Sequence, residues 1–326
     1  MDKMATRALR LYFHSPCFDG IASAVLCWDF FEQRGDARIV HFHPVGYEQR
    51  DRWLSKPLPS RSAVVDFLFH PDAMFWVDHH QTTFLTSAAR ETFESNNSRD
   101  WAYDDQASSC AILLRKFLRK AFRYRNPKYD ALVGWANRID SATYRDVRQA
   151  VLAPTPALQI SLSLANADAA YCERLVRQLK AHSVSSVARS PHVQKRVREA
   201  KASLWEGLKQ FEKTARLEDG IVVFDVDANK TQISRYAPYY FFPKARYSVG
   251  LMRLGGSAKI TAMRNPWKRF ESVPIGSIFA RYGGGGHQRV GSVMLKEDAN
   301  GDAQRILSEL VEEIRDRDRA QSRHSP

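Results

Sequence analysis

The stretch LRLYFHSPCFDGIASAVLCWDFFEQRGDARIVHF, residues 9–42, decides the fold. Leu9–Phe13 is a short apolar and aromatic run bounded by polar residues, the pattern of a buried strand. Gly20–Glu32 is apolar on most faces and predicts a helix packed against a sheet. Arg38–Phe42 predicts a second buried strand. Further along, Ala63–Phe67 and Met74–Val77 have the same strand pattern, while Ala107–Phe122 and Tyr129–Ile139 carry apolar residues at helical spacing. Strands interleaved with helices predict an α/β domain with a mostly parallel sheet and flanking helices. In such sheets ligands collect at the carboxyl ends of strands.

Beyond this domain, residues 1–165, lies a basic helical connection, 166–217, with a serine-rich interruption at Ser183–Ser190. A smaller α+β domain, 218–326, is expected after it. Its elements are strands Gly220–Val226, Tyr247–Leu254 and Lys259–Arg264, helix Ile275–Tyr282, a glycine run, strand Ser292–Leu295 and helix Ala303–Arg315. The tail Asp316–Pro326 is charged, lacks apolar anchors and is expected to fray. There is no internal repeat.

With 326 residues, 44% of them hydrophobic, the chain is long enough for two cores. No run approaches the ~20 apolar residues of a membrane span, and the first thirty residues do not resemble a signal peptide. Cys17, Cys27, Cys110 and Cys172 form no CxxC pair. That argues against a structural zinc site or disulfide framework and for a soluble protein of the reducing cytoplasm, with no membrane partner. The net charge of +13 favours polyanionic partners such as nucleotides, oligonucleotides or polyphosphate.

Acidic residues and histidines fall at the ends of the expected elements. His14, Cys17 and Asp19 follow the first strand, and Asp66 closes the third. Asp78, His79 and His80 follow the fourth, and Asp140 ends the helix GWANRID. A single strand-end aspartate usually caps a helix. Here, a parallel sheet would bring all of them to one rim, where like charges repel unless cations neutralise them. Oxygen and imidazole donors together suit Mn²⁺, Mg²⁺, Co²⁺ or Zn²⁺. Two such ions ~3.5–4 Å apart supply what phosphoester hydrolysis needs, and Asp66, in the middle of the set, is the natural bridging carboxylate.

Asp78-His79-His80 followed by Gln-Thr-Thr after an apolar strand, the upstream HSPCFDGIASA (14–24) and the downstream GGGGH (283–287) resemble the DHH-family phosphoesterases with their DHH-associated C-terminal domain. The resemblance runs from about Leu9 to Leu310. It implies ligation of two divalent ions, Mn²⁺ first among them, by His14, Asp19, Asp66, His79 and Asp140. It places Asp78 beside the site as an ordering residue and His80 close to the scissile phosphate. Cys17 stands where many members have an aspartate. A thiolate prefers softer ions such as Zn²⁺, so either Cys17 ligates a different metal or that position is weak.

Four consecutive glycines mark a place where the backbone must come very close to something. Gly284, Gly285 and Gly286 with His287 suit a loop whose amides face an anion. Arg264, at a strand end, resembles the family's phosphate-holding arginine, and its planar fork suits that task. The resemblance gives cutting to the N-terminal half and the substrate's far end to the glycine loop, which favours short substrates or chain ends. Ser108–Ser109 read as a helix N-cap. The aromatic string RYAPYYFFP (235–243) reads equally as a packed strand or interdomain contact and as a base-stacking platform. Basic residues within Lys195–Lys209 read as a solvated helix face. His41, His43 and His70 lie outside the motif and receive no role.

The expected function is metal-dependent hydrolysis of short oligonucleotides or linear dinucleotides to mononucleotides, an exonuclease-like activity. Inorganic polyphosphate, cyclic dinucleotides and nucleoside bisphosphates are alternative substrates. A reading of another class is a nucleic-acid-binding protein that lost turnover through the Cys17 change. The oligomeric state is open, a homodimer included.

Overall fold

Five strands, β1 (Arg7–His14), β2 (Ala37–Val45), β3 (Ser62–Val65), β4 (Phe75–Asp78) and β5 (Trp101–Tyr103), form one sheet in the order β2-β1-β3-β4-β5. Every neighbouring pair is parallel. The structure is a computed structural model that describes residues 7–35, 37–96, 98–229, 233–296 and 302–324. From β1 the chain crosses outward to β2, then returns to the other side of β1 as β3. The carboxyl ends of β1 and β3 therefore flank a topological switch point, where connections diverge and leave a crevice.

Helix α1 (Phe18–Arg34) explains its own composition. Nearly every residue from Phe18 to Phe31 is buried, because the helix packs on β1 and β2 and is covered by α3 (Cys110–Phe122), α4 (Asp130–Asp140) and α7 (Ala169–Ala181). A helix apolar all round belongs inside a domain. A second core, rich in aromatics, joins Trp53, Phe67, Phe69 and Trp76, with Phe93 of α2 (Ser87–Ser95) and Trp101 packed against it. The indoles of Trp53, Trp76 and Trp101 each donate to a main-chain carbonyl, so their burial leaves no orphaned donor.

The chain divides into two compact units, Met1–Tyr144 with Ala153–Val197, and Arg145–Leu152 with Arg198–Pro326. Helix α5 (Val147–Leu152) groups with the second unit. Helices α6 (Pro156–Ser163), α7 and α8 (Val184–Ala188) group with the first, and α9 (Pro191–Thr214) begins there and ends in the second. Ser183, in the serine-rich interruption, caps α8 by accepting from the Ser186 amide.

The second unit is built on a six-stranded mixed sheet. Its strands are β6 (Arg216–Glu218), β7 (Ile221–Asp227), β8 (Tyr247–Leu254), β9 (Ser257–Arg264), β10 (Gly285–His287) and β11 (Val290–Lys296), ordered β10-β11-β9-β8-β7-β6. Only β7 and β8 pair in parallel. Val249, Leu251 and Ile260 meet Phe279 of α11 (Ile275–Ala280) and Leu307, Leu310 and Ile314 of α12 (Asp302–His324) in one core.

Three expectations need correction, and one strand was not expected. Trp101–Tyr103 is a strand that three residues were too few to announce. The aromatic string is not a strand, because Ala237–Phe241 forms helix α10, locked by the buried Tyr239 hydroxyl donating to the Met263 carbonyl at 2.5 Å. The tail continues α12 to His324 instead of fraying at Asp316. Its anchor is polar: Asp318 accepts from Arg246 at 2.6 Å and from the Tyr247 hydroxyl at 2.9 Å. Part of the glycine run, Gly285–Gly286, is strand rather than loop, paired with β11.

Gly20 states why the first motif carries a glycine. A Cβ there would lie 2.0 Å from the His14 carbonyl oxygen, so only glycine lets the start of α1 close against the end of β1. Gly134, exposed on α4, has nothing within 4 Å of a built Cβ. Denaturant unfolding should therefore separate the two. Gly20→Ala is expected to cost about 3 kcal/mol through the backbone clash, and Gly134→Ala to gain about 0.5–1 kcal/mol from helix propensity. Equal effects at the two sites would contradict the packing described.

Candidate metal centre

The eight residues singled out in the first half of the chain come together at the carboxyl rim of the parallel sheet. His14 is the last residue of β1, Asp78 the last of β4 and Asp140 the last of α4, while Asp66 directly follows β3. Asp66 adopts φ 59°, a left-handed conformation uncommon outside glycine and tolerated best by Asp and Asn. Such local strain persists only where the surroundings impose it. Here it comes with a side chain that is 1% exposed and held among three imidazoles.

The Asp66 carboxylate lies 3.5 Å from His14 Nδ1, 3.7 Å from His79 Nε2 and 4.0 Å from His80 Nδ1. Among the described residues, neither of its buried oxygens has a hydrogen-bond partner, and the same holds for His14 Nδ1 and His79 Nε2. Four buried polar atoms without partners in one place are costly, since each forfeits its hydration. Divalent cations would satisfy all four at once. The candidate ligand atoms fall into three groups whose members lie within 4.8 Å of one another: His14, Cys17 and Asp66; Asp66, His79 and His80; and Asp19, His79 and Asp140. Asp66 occurs in two of these groups, as a bridging carboxylate would.

The surrounding main chain orients these groups. The N-terminal amides of α3 hold Asp19, Cys110 N donating at 2.6 Å and Ala111 N at 3.1 Å. His79 Nδ1 donates to the Ala107 carbonyl at 3.0 Å, which turns Nε2 toward Asp19, Asp66 and Asp140. This is the outer-shell support that fixes the tautomer of a ligating histidine. Sequence reading missed Ala107, because a main-chain carbonyl leaves no signature in side-chain identity. Ser109 caps α3 as expected, accepting from the Ile112 amide. Asp140 sits at the C-terminal, negative end of α4, where the helix dipole disfavours a carboxylate unless a cation is near.

The electrostatics point the same way. Burial, then the charge of Asp140, raises Asp19 above the ordinary carboxylate range. Burial, then the charges of Asp19 and Asp78, raises Asp66 as well. Burial and then the neighbouring His80 lower His14 to about 4, so its ring is neutral and able to ligate. Burial, then Asp66 and Asp19, pushes the Cys17 thiol up, so a thiolate there requires a cation beside it. His80 is opposed by burial. The hydrogen bond to Asp78 Oδ1 at 2.8 Å and that carboxylate's charge override it, and hold the imidazole above its usual value. Tyr47, which sequence reading did not single out, packs edge-on at 5.0 Å from His14 and 6.2 Å from His80 while staying 40% exposed.

The residues expected to bind substrate lie in the second unit. Gly285 and Gly286 line a cavity of about 340 Å³ with Ser234, Arg235 and Lys259. The close approaches of the glycine run are to the chain's own backbone: a Cβ on Gly284 would lie 2.3 Å from the Ser292 carbonyl oxygen, and one on Gly286 2.2 Å from that of Val290. His287 ends β10 and is exposed. Arg264 ends β9, but its guanidinium donates to the carbonyls of Lys268 and Phe270, both at 2.7 Å, and lies over the Phe270 ring.

No family model matches the chain, and no curated protein matches it in sequence. Solved structures do match its fold. PggH from Vibrio cholerae, a pGpG-specific phosphodiesterase, aligns with a TM-score of 0.69 at 18% identity over 93% of this chain and 98% of that one. RecJ from Thermus thermophilus, in complex with Mn²⁺, aligns with a TM-score of 0.57 at 11% identity over 95% of this chain and 53% of that one. An exonuclease RecJ bound to manganese aligns with a TM-score of 0.51 at 11% identity over 98% of this chain and 91% of that one. The chain has the DHH-family phosphoesterase fold.

The donor sets predict a selectivity. With a sulfur in the His14, Cys17 and Asp66 group, that position should favour Zn²⁺ over Mn²⁺. Elemental analysis after dialysis against both ions should show Cys17→Asp shifting the Zn/Mn ratio toward manganese by about tenfold or more. An unchanged ratio would exclude Cys17 as a ligand.

Proposed function

We propose that this chain is a two-metal phosphodiesterase that hydrolyses linear dinucleotides or short oligonucleotides to mononucleotides. The observation that carries the reading is the set of four unpartnered, buried ligand atoms converging on Asp66. In it, His14, Cys17 and Asp66 hold one ion and Asp19, His79 and Asp140 hold the other, with Asp66 shared. When bound, two divalent cations acidify a water and neutralise the phosphoryl oxygens. The choice of a linear dinucleotide is supported by the likeness to PggH, a pGpG-specific phosphodiesterase.

The remaining chemistry belongs to the chain's own side chains. Asp78, fully buried, fixes the His80 ring and favours its protonated form. His80, partly exposed, then presents a charged donor to an oxygen of the scissile phosphate, where negative charge grows in the transition state. Tyr47 offers an exposed aromatic beside these histidines on which a base can stack. In the second unit, Gly285 and Gly286, with Arg235 and Lys259, line a cavity suited to a phosphate group. Arg264 fixes the 265–270 loop through its carbonyl contacts.

Incubation of the protein with a 5′-phosphorylated linear diguanylate and Mn²⁺ tests this, with a short oligoribonucleotide, polyphosphate and a nucleoside 3′,5′-bisphosphate in parallel. Mononucleotide release from the dinucleotide is expected to be fastest, and to fall to background in Asp66→Ala and in His79→Ala. His80→Ala should lower kcat about 100-fold or more. Tyr47→Ala should raise KM about tenfold with little change in kcat. Release that survives Asp66→Ala contradicts the site. Tight binding of the substrates without turnover in the metal-loaded protein supports the non-catalytic reading instead.

A further inference from the structure

Seven of the fourteen residues from Arg115 to Lys128 are basic and none is acidic. They occupy the second half of α3 and the loop that leads into α4. Arg115, Lys116, Arg119 and Arg125 border a cavity of about 540 Å³ that no part of the reading above uses. Arg115 is matched by Asp130 at 3.2 Å. Among the described residues, no carboxylate lies within ion-pair distance of Lys116, Arg119 or Arg125. Cations crowded without counter-charges repel one another, and the arrangement becomes favourable when a multivalent anion binds.

The cavity is not merely a charged surface. Leu26, Val133, Tyr124 and Tyr129 also line it. The tyrosines are fixed from behind by the buried Asp29, which accepts from the Tyr124 hydroxyl at 2.6 Å, the Tyr129 hydroxyl at 3.2 Å and the Asn126 amide at 2.8 Å, and pairs with Lys180 at 3.1 Å. Their polar ends thus point at Asp29, which is not part of the cavity wall, and their orientation is set before any ligand arrives. Rigid aromatic and aliphatic walls beside unmatched guanidinium groups suit a ligand with a planar apolar part and several phosphates. The volume falls in the range of small-molecule sites.

Its position separates it from the metal centre. The first turn of α3 holds Asp19 and the last residue of α4 is Asp140, whereas the cavity lies where α3 ends and α4 begins. From Cys110 to Arg119 the helix rises about 14 Å. We propose that this cavity is a second binding site, for a nucleoside polyphosphate, with the phosphates on Lys116, Arg119 and Arg125 and the base against Tyr124. A ligand there spans the two helices whose opposite ends position Asp19 and Asp140, which makes it an effector site rather than a substrate site. The inference does not rest on the hydrolytic reading.

Calorimetric titration of the full chain with ATP in EDTA tests the site apart from any metal-dependent binding. Saturable binding is expected, weakened about tenfold or more in Arg119→Glu/Arg125→Glu and unchanged in Lys209→Glu, on the exposed face of α9. Adenosine alone and inorganic tripolyphosphate alone should each bind less tightly than ATP. No saturable binding, or equal affinity in the double glutamate variant, overturns the site. Tripolyphosphate binding as tightly as ATP overturns the nucleotide assignment. Should the double glutamate variant melt below the parent, Arg119→Gln/Arg125→Gln replaces it under the same criterion.

Discussion

Four carboxylates and three imidazoles share one rim of a parallel sheet, and the rest of the first unit is arranged to make that crowding tolerable. Asp19 is neutralised in part by the α3 amides, and Asp78 by His80. Of these four carboxylates, Asp66 receives no hydrogen bond on either oxygen from the described residues while being almost fully buried. An unpaired buried carboxylate is among the most destabilising groups a protein can hold, and its surroundings push it toward the neutral form. The arrangement is explained if cations belong there.

The sheet topology is what makes the cluster possible. Because β1 and β3 are adjacent and parallel, residues some fifty positions apart in sequence arrive at the same crevice. Gly20 removes the side chain that would keep α1 from closing on the end of β1, and so allows Asp19 to reach the rim. The left-handed backbone at Asp66 performs a comparable task for its own carboxylate. Fold and site are specified by the same few residues.

Much of this was legible in the residues. Alternation of short apolar runs with helical spacing pointed to the parallel sheet, and the placing of Asp and His at element ends pointed to the cluster, from His14 to Asp140. What escaped was of two kinds. Contacts made by the main chain, such as the Ala107 carbonyl on His79 or the Cys110 and Ala111 amides on Asp19, depend on position and not on side-chain type. Features stabilised by distant partners also escaped. The polar tail is helical because Arg246 and Tyr247 hold Asp318, and the aromatic string is helical because Tyr239 is anchored to Met263. Glycine spacing signalled close approach correctly, but the neighbour is the chain's own β11, as the paired strand shows.

The central claim is that Asp66 bridges two cations. Anomalous diffraction from crystals equilibrated with Mn²⁺ and Zn²⁺ measures this directly. Two peaks are expected ~3.5–4 Å apart, each within ~2.0–2.3 Å of an Asp66 oxygen, with His14 and His79 bound to different ions. A single peak, or metal bound away from Asp66, would contradict it.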